Sequence, residues 1–367
     1  MNKRVCHITS AHSRYSTRIL SKQCKSLAAN GYDVFLIVND NKSNEVVDQV
    51  KIVSTGYKYK NRIDRFLYSN NKLLNEAIKI NADIYQLHDP DLLPLGNKLK
   101  RMGKKVIFDS HENVPMQIKD KQWIPKLMRN IVSRTYEVYE KYSIKKYDAV
   151  ISVTPHTAKR FKKTNPNTLI ITNYPVVDKS EDIVRNPIKA ICFAGGINEQ
   201  YRHHNILKAI EDINDIKYIL AGNGTAEYLN MLQSLPAWNK VDYKGWVQHT
   251  EIKKIYSKSI AGMAIHESTQ IMSRGTLGVI KLFEFMEAKL PIICSDYPLW
   301  RDIVDQYNCG ICVDPNDVEE IKSAINFIIE NPEEAKVMGE NGRKAVIEKY
   351  NWETQEKVLL ELYECIG

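Results

Sequence analysis

No stretch of this sequence reaches the roughly 18 apolar residues that a membrane-spanning helix needs, and its apolar opening, Val5-Cys6-His7-Ile8, is shorter than the core of a secretory leader. The expectation is a cytoplasmic chain without a spanning helix. Its seven cysteines are odd in number and scattered mostly through apolar, strand-like runs, which argues for reduced buried thiols and against a disulfide framework. Cys309-Gly-Ile-Cys312 has no second pair nearby, and Cys312 sits in the strand-like Gly-Ile-Cys-Val, so a zinc or redox reading yields to a strand. Low-complexity tracts are absent. After the first strand stands Thr9-Ser10-Ala11-His12-Ser13-Arg14 in place of a glycine fingerprint, which disfavours a dinucleotide enzyme.

What is there is a chain of 367 residues, long enough for two domains of ordinary size. The composition, 43% apolar and 26% charged, is that of a folded globular protein. The net charge of +8 conceals a polarity: residues 1–180 carry 32 Lys/Arg against 16 Asp/Glu, and residues 181–367 carry 20 against 28. A basic half attracts anionic partners. No nucleic-acid motif accompanies it, so a nucleic-acid partner is not expected and an anionic membrane surface is the better fit. Lys119, Lys121, Lys126, Arg129 and Arg134 interleave with Trp123, Ile124, Leu127, Met128 and Ile131. Such a segment is either an interfacial helix or an amphipathic helix packed on its own domain.

Short β-like runs alternate with helical segments throughout, the pattern of parallel βαβ units. In the first half the strands are 4–9, 33–38, 83–87, 105–109 and 149–153, with a helix over 16–30 closed by Gly31. Their nearly continuous apolar character is that of a sheet covered on both faces. The run from Asn173-Tyr174-Pro175 to Asn186-Pro187 is polar and irregular, a linker. A second series follows at 189–194, 216–221, 241–244, 261–265, 291–294 and 310–313. The expected domains are 1–176 and 177–350, with 351–367 a C-terminal helix free to pack across the junction.

Parallel sheets bind ligands beyond the carboxyl ends of their strands, and the polar clusters fall there. His88-Asp89-Pro90-Asp91 follows one strand, and Asp109-Ser110-His111-Glu112-Asn113 ends another. The two places His/carboxylate groups at strand ends, with His111 the preferred functional histidine and Asp91 a helix N-cap. In the second half, Gly195 and Gly196 follow a strand and are succeeded by Asn198 and Arg202, allowing close approach of a ligand to the backbone. Gly222 and Gly224 form either a tight turn or a second such loop. The loop Arg274-Gly275-Thr276-Leu277-Gly278 opens an apolar helix bearing Lys281 and Glu284 three residues apart on one face. A carboxylate there needs either the lysine or a ligand diol as partner.

Taken together, these segments resemble the retaining glycosyltransferases of family 4, group 1, with the GT-B fold. The likeness rests on Arg18, Ile19 and Lys22, the run HDPDLLPLG at 88–96, FDSHE at 108–112, VTP at 153–155, NYP at 173–175, AGG with Arg202, AGNG at 221–224, KGW at 244–246 and KLFEFMEAKLPII at 281–293. The resemblance implies two Rossmann-like doubly wound parallel-sheet domains, α/β in class, facing across a cleft. It implies a nucleotide diphosphate sugar on the second domain, with Glu284 at the ribose, Arg202 at the diphosphate and the backbone of Thr276, Leu277 and Gly278 near phosphate and sugar. The first domain would take a glycan or lipid-linked acceptor, with His111 beside the transferred sugar and His88, Asp89 and Glu112 near it. No metal or cofactor is implied. The family's first glutamate, eight positions before Glu284, is replaced by Thr276, so the donor sugar stays open. Two other readings also stay open: a sugar-nucleotide 2-epimerase of the same fold and a non-catalytic scaffold. Surface-polysaccharide synthesis, at the inner face of the plasma membrane, is the expected setting.

Overall fold

The computed structural model describes the whole chain except residues 1–2, 62–63, 112, 122–123, 181–182 and 268–279. The chain divides into two compact units, Met1–Asn173 with Trp352–Gly367, and Tyr174–Asn351. The first unit's opening segment ends three residues short of the expected boundary because Tyr174 belongs to the second unit's core, where its ring meets Phe283 and Tyr350 edge-on at 4.7 and 5.4 Å.

The first unit holds an eight-stranded sheet of order β3-β4-β2-β1-β5-β6-β7-β8. Its strands are β1 (Arg4–Ile8), β2 (Asp33–Val38), β3 (Glu45–Val47), β4 (Val50–Ser54), β5 (Ile84–Leu87), β6 (Lys105–Ser110), β7 (Ala149–Ser152) and β8 (Thr168–Ile170). All pairs are parallel except the β3–β4 hairpin. That hairpin turns on Asp48 and Gln49, both at positive φ, +46° and +66°. A two-residue turn of this kind usually carries Asn or Gly, which is why sequence reading passed over it.

The period of two along each strand sorts side chains to opposite faces. Cys6 and Ile8, Tyr85 and Leu87, and Phe108 enter one apolar core, while Val5, Ile84 and Ile107 enter the other. His7, Gln86 and Asp109 therefore share the second face, where apolar residues would be expected. The helix Trp352–Ile366 covers that face: Leu359, Leu362 and Tyr363 join its core, and Trp352 Nε1 donates to Ser26 Oγ at 2.9 Å.

The second unit holds a wholly parallel six-stranded sheet of order β11-β10-β9-β12-β13-β14. Here β9 is Ala190–Ala194, β10 Lys217–Ala221, β11 Val241–Gly245, β12 Ala261–Ala264, β13 Ile292–Ser295 and β14 Gly310–Val313. Apolar clusters lie on both faces, one centred on Phe283, Phe285 and Trp300, the other on Phe193, Ile206 and Ile325. All seven cysteines are free thiols, and Cys312 faces Cys294 at 3.8 Å.

Candidate active site

In the first unit β5 and β6 are neighbours in register, so the ends carrying His88-Asp89 and Asp109–His111 come together. Asp109 is the anchor. It is fully buried, and Arg18 grips it with Nη2 at 2.8 Å from Oδ1 and Nε at 3.3 Å from Oδ2. Gln23 and Gln86 donate to Oδ2 at 2.8 and 3.2 Å. Arg18 and Gln23 reach the same carboxylate because the helix Thr17–Cys24 is wound as a π-helix, in which residues five apart stack. Ser16 starts that helix, its side chain accepting from Ile19 N. Burial alone would push the Asp109 carboxyl up; Arg18 and the flanking histidines outweigh it and hold the group well below the usual carboxylate range.

His88, only 2% exposed, lies between His7 (2.9 Å, Nε2 to Nδ1) and His111 (3.3 Å, Nδ1 to Nε2). Burial pushes its pKa down to about 4, so it is neutral. Asp89 ties down the loop after β1, accepting from Thr9 Oγ1 at 2.7 Å and Ser10 N at 2.8 Å. This loop brings His12 to His111, ring centroids 4.8 Å apart, and to Asp89 at 3.6 Å. His111 is the half-buried member of the group, with Asp109 Oδ2 3.6 Å from its Nε2. His88 and Asp89 thus support the group from behind. Asp91 caps no helix; it pairs with Arg65 at 3.2 Å. Glu112 lies outside the described residues.

His88, Asp109 and His111 offer three donor atoms within 4.8 Å of one another, the spacing of a metal site. The Arg18 guanidinium on Asp109 sets a fixed positive charge against any cation, and the two glutamines already occupy Oδ2. Together they read as a hydrogen-bonded network.

The second unit brings together Gly195, Lys281 and Glu284. A Cβ at Gly195 would stand 3.0 Å from Lys281 Cε, so the lysine stem lies across the loop after β9. Lys281 Nζ donates to Glu284 Oε2 at 2.6 Å, and the buried Tyr256 hydroxyl donates to the same oxygen at 3.1 Å. Burial, then the Glu284 charge, raises the Tyr256 pKa. A cavity of about 340 Å³ opens beside Glu284, lined also by Ile183, Val184, His249, Ile252 and Lys253.

Gly196 has ample space where a side chain would be, so neither packing nor backbone conformation demands glycine there. Gly222 and Gly224 are different: a Cβ would meet Gly195 O at 1.7 Å and Ile197 O at 2.6 Å, so these glycines let the loops after β9 and β10 stack. Asn198 caps the following turn, accepting from Gln200 N at 3.0 Å. Arg202, in the left-handed region at φ +45°, heads the helix His203–Ile210 and faces Glu267 at 3.4 Å. Its buried Nε has no partner among the described residues. Thr276, Leu277 and Gly278 lie outside the described residues.

Residues 16–181 match the sequence profile of Glycosyltransferase Family 4, and residues 178–345 that of Glycosyl transferases group 1. The chain belongs to this glycosyltransferase family. The uncharacterized glycosyltransferase MJ1069 of Methanocaldococcus jannaschii is 28% identical over 73% of this chain and 70% of its own length. Sucrose-phosphate synthase of Thermosynechococcus elongatus superposes with TM-score 0.75 at 16% identity, covering 100% of this chain and 99% of that one. Anabaena HepE, solved in complex with UDP and glucose, superposes with TM-score 0.72 at 11% identity, over 99% of this chain and 100% of that one. These likenesses give the family 4 chain the GT-B fold of two parallel-sheet domains. The Arg18–Asp109–His111 network falls within the first profile, and Gly195, Arg202, Lys281 and Glu284 within the second.

Sequence reading named His111, His88 and Asp89 but not the groups that organise them: His7, Gln23, Gln86 and Tyr363. The available signal was polar side chains inside otherwise apolar strands, His7 in RVCHI, Gln86 in IYQL and Asp109 in KVIFDS.

Proposed function

We propose that this glycosyltransferase is a retaining hexosyltransferase using a nucleotide diphosphate sugar, UDP-linked in preference to GDP-linked. The observation that carries the reading is the meeting of Lys281 and Glu284 over Gly195 at the end of β9. A carboxylate can accept both hydroxyls of a ribose, and a lysine and an arginine suit a diphosphate. Glu284 is assigned to the ribose, Arg202 and Lys281 to the diphosphate, and Thr276, Leu277 and Gly278 to phosphate and sugar. Gly196, whose side-chain space is open, gives the ligand access to the backbone. The UDP preference is supported by HepE, which is seen with UDP and glucose.

His111 is assigned to the transferred sugar, supported by His88 and Asp89. In the retaining reaction the acceptor hydroxyl oxygen attacks the anomeric carbon on the face from which the diphosphate departs. The carbon–oxygen bond to the diphosphate breaks with its electron pair staying on the leaving oxygen, and that oxygen takes the hydroxyl proton. Fixed positive charge at the leaving group lowers this barrier.

The acceptor is assigned as a glycan or lipid-linked intermediate of cell-surface polysaccharide synthesis. Among the described residues no helix is long and apolar enough to cross a membrane. The helix Lys126–Ile144 supports peripheral contact instead: it buries Ser133, Glu140 and Ser143 and turns Leu127 (92% exposed), Met128 and Ile131 (66%) outward beside the exposed Lys126 and Arg134. Apolar side chains flanked by cations on an outer face suit an anionic bilayer surface. Trp123 lies outside the described residues.

Incubation with a panel of UDP-, GDP- and ADP-sugars, with products resolved by NMR, tests the assignment. Transfer with retained anomeric configuration is expected. Acceptor-independent conversion of the sugar nucleotide would move the assignment to an epimerase, and no turnover of any donor to a scaffold, the reading the Thr276 replacement favours. Sedimentation with anionic vesicles at low salt tests the membrane contact, which Leu127→Asp should weaken.

A further inference from the structure

The buried polar groups behind His111 form a chain with a direction. Asp109, ionised, only accepts hydrogen bonds. Gln23 and Gln86 therefore turn their amide nitrogens to it, and Gln86 Nε2 also donates to Gln23 Oε1 at 2.7 Å. This leaves Gln86 Oε1 facing the Tyr363 hydroxyl at 2.7 Å, and the tyrosine's single proton goes there. At 3.2 Å from His7 Nε2, the Tyr363 oxygen must then accept, which places the His7 proton on Nε2.

His7 is fully buried, and that burial holds it neutral. With its proton on Nε2, its Nδ1 accepts from His88 Nε2 at 2.9 Å. His88, also neutral, is left with a bare Nδ1 that faces Asp109 Oδ2 at 3.3 Å and His111 Nε2 at 3.3 Å. Two acceptors this close need a proton from a third group. His111 Nε2 is the group in reach, 3.6 Å from Asp109 Oδ2. His111 Nδ1 has no hydrogen bond among the described residues.

We propose that Tyr363, on the last helix of the chain, is a positioning residue: through His7 and His88 it fixes the His111 proton on Nε2 and leaves Nδ1 as an acceptor for a sugar hydroxyl. The role of the sugar rests on the assignment of His111 above; the direction of the chain does not. The reversed order, with Tyr363 donating to His7 and His88 donating to Asp109, would leave Gln86 Oε1 without its 2.7 Å donor. The last helix thus contributes more to the first unit than its apolar face: it sets the tautomer of a histidine two imidazoles away.

Histidine-selective 15N labelling of the full chain and long-range 1H–15N spectra read each tautomer directly, with resonances assigned by single His→Gln changes. In the wild type, neutral His7 and His88 should carry the proton on Nε2, and His111 should carry one on Nε2 and none on Nδ1; an Nδ1 proton on any of the three overturns the chain. Tyr363→Phe should move the His7 proton to Nδ1 and release that of His111, and Gln86→Leu, which frees the tyrosine proton for His7, should act in the same direction. Unchanged tautomers in a folded variant would refute the role of Tyr363, and if neither variant folds the wild-type spectrum decides alone. In transfer assays Tyr363→Phe should lower kcat roughly tenfold with donor KM unchanged, as loss of a group that orients a histidine from behind does. Absence of sugar transfer alongside the stated tautomers would count against the proposed function and leave the chain standing.

Discussion

The two units solve the same problem, charge at the end of a parallel sheet, in opposite ways. In the first, Asp109 and Arg18 are sunk into the protein with two amides and two imidazoles arranged around them. In the second, Lys281, Glu284 and Arg202 stay partly open, and their contacts to one another and to Glu267 are few. A buried ion pair gives up hydration and is held by geometry, so it fixes the position of a neighbour. A pair that keeps part of its exposure, 13% for Lys281 and 21% for Glu284, can exchange one partner for a ligand. The difference teaches that the first group is built to hold His111 still and the second to be displaced.

The largest test of that contrast is to break the buried pair. Arg18→Ala leaves the Asp109 carboxylate buried without its counter-charge and should cost about 3–5 kcal/mol of stability, measured by denaturant unfolding. Lys281→Ala removes a partner whose side chain is 13% exposed, against 6% for Arg18, and should cost less, about 1.5–3 kcal/mol. Equal losses would erase the contrast.

Acid should blur the two units together. His88 in the first and His203 in the second are fully buried, and burial pushes their pKa down to about 4 and about 3. Their unfolded value is near 6.5, so as the pH falls the unfolded chain takes up protons first. Stability present above about pH 6.5 is lost on the way down, by about 1.4 kcal/mol per pH unit for each histidine until the folded group titrates. Chemical unfolding at pH 7 and pH 5 checks this; a more stable protein at pH 5 would contradict it.

Outside both groups the expected effects are smallest. Ile131→Asp, on the exposed face of the helix Lys126–Ile144, should alter stability by less than about 0.5 kcal/mol while weakening sedimentation with anionic vesicles. A large loss of stability would mean that this face is covered by protein.

Much of the architecture was legible. Alternating apolar runs located nine strands of the two sheets to within a residue at either end, and β2 and β14 at their observed bounds, because parallel strands buried on both faces leave little else to read. β3, β4 and β8 were missed: the first two close on a turn without Asn or Gly, and β8 is three residues long. For the site, the pairing of β5 with β6 was legible from His88 and His111 following two strands. The roles of His7 and Gln86 were not, because a polar residue in a strand declares its face only when the register is known. The helix Lys126–Ile144 can be read two ways from its sequence, and which side chains it buries, Ser133 and Ser143 in and Leu127 out, was not legible there. Arg202 gave no hint of its left-handed backbone.

The most direct test of the central assignment is a calorimetric titration of UDP into the wild type, Lys281→Ala, Glu284→Ala and His111→Ala. The account predicts saturable binding by the wild type, weakened at least tenfold, about 1.4 kcal/mol, in the two second-unit variants and left within twofold by His111→Ala. Affinity lost in His111→Ala and kept in Glu284→Ala would contradict it.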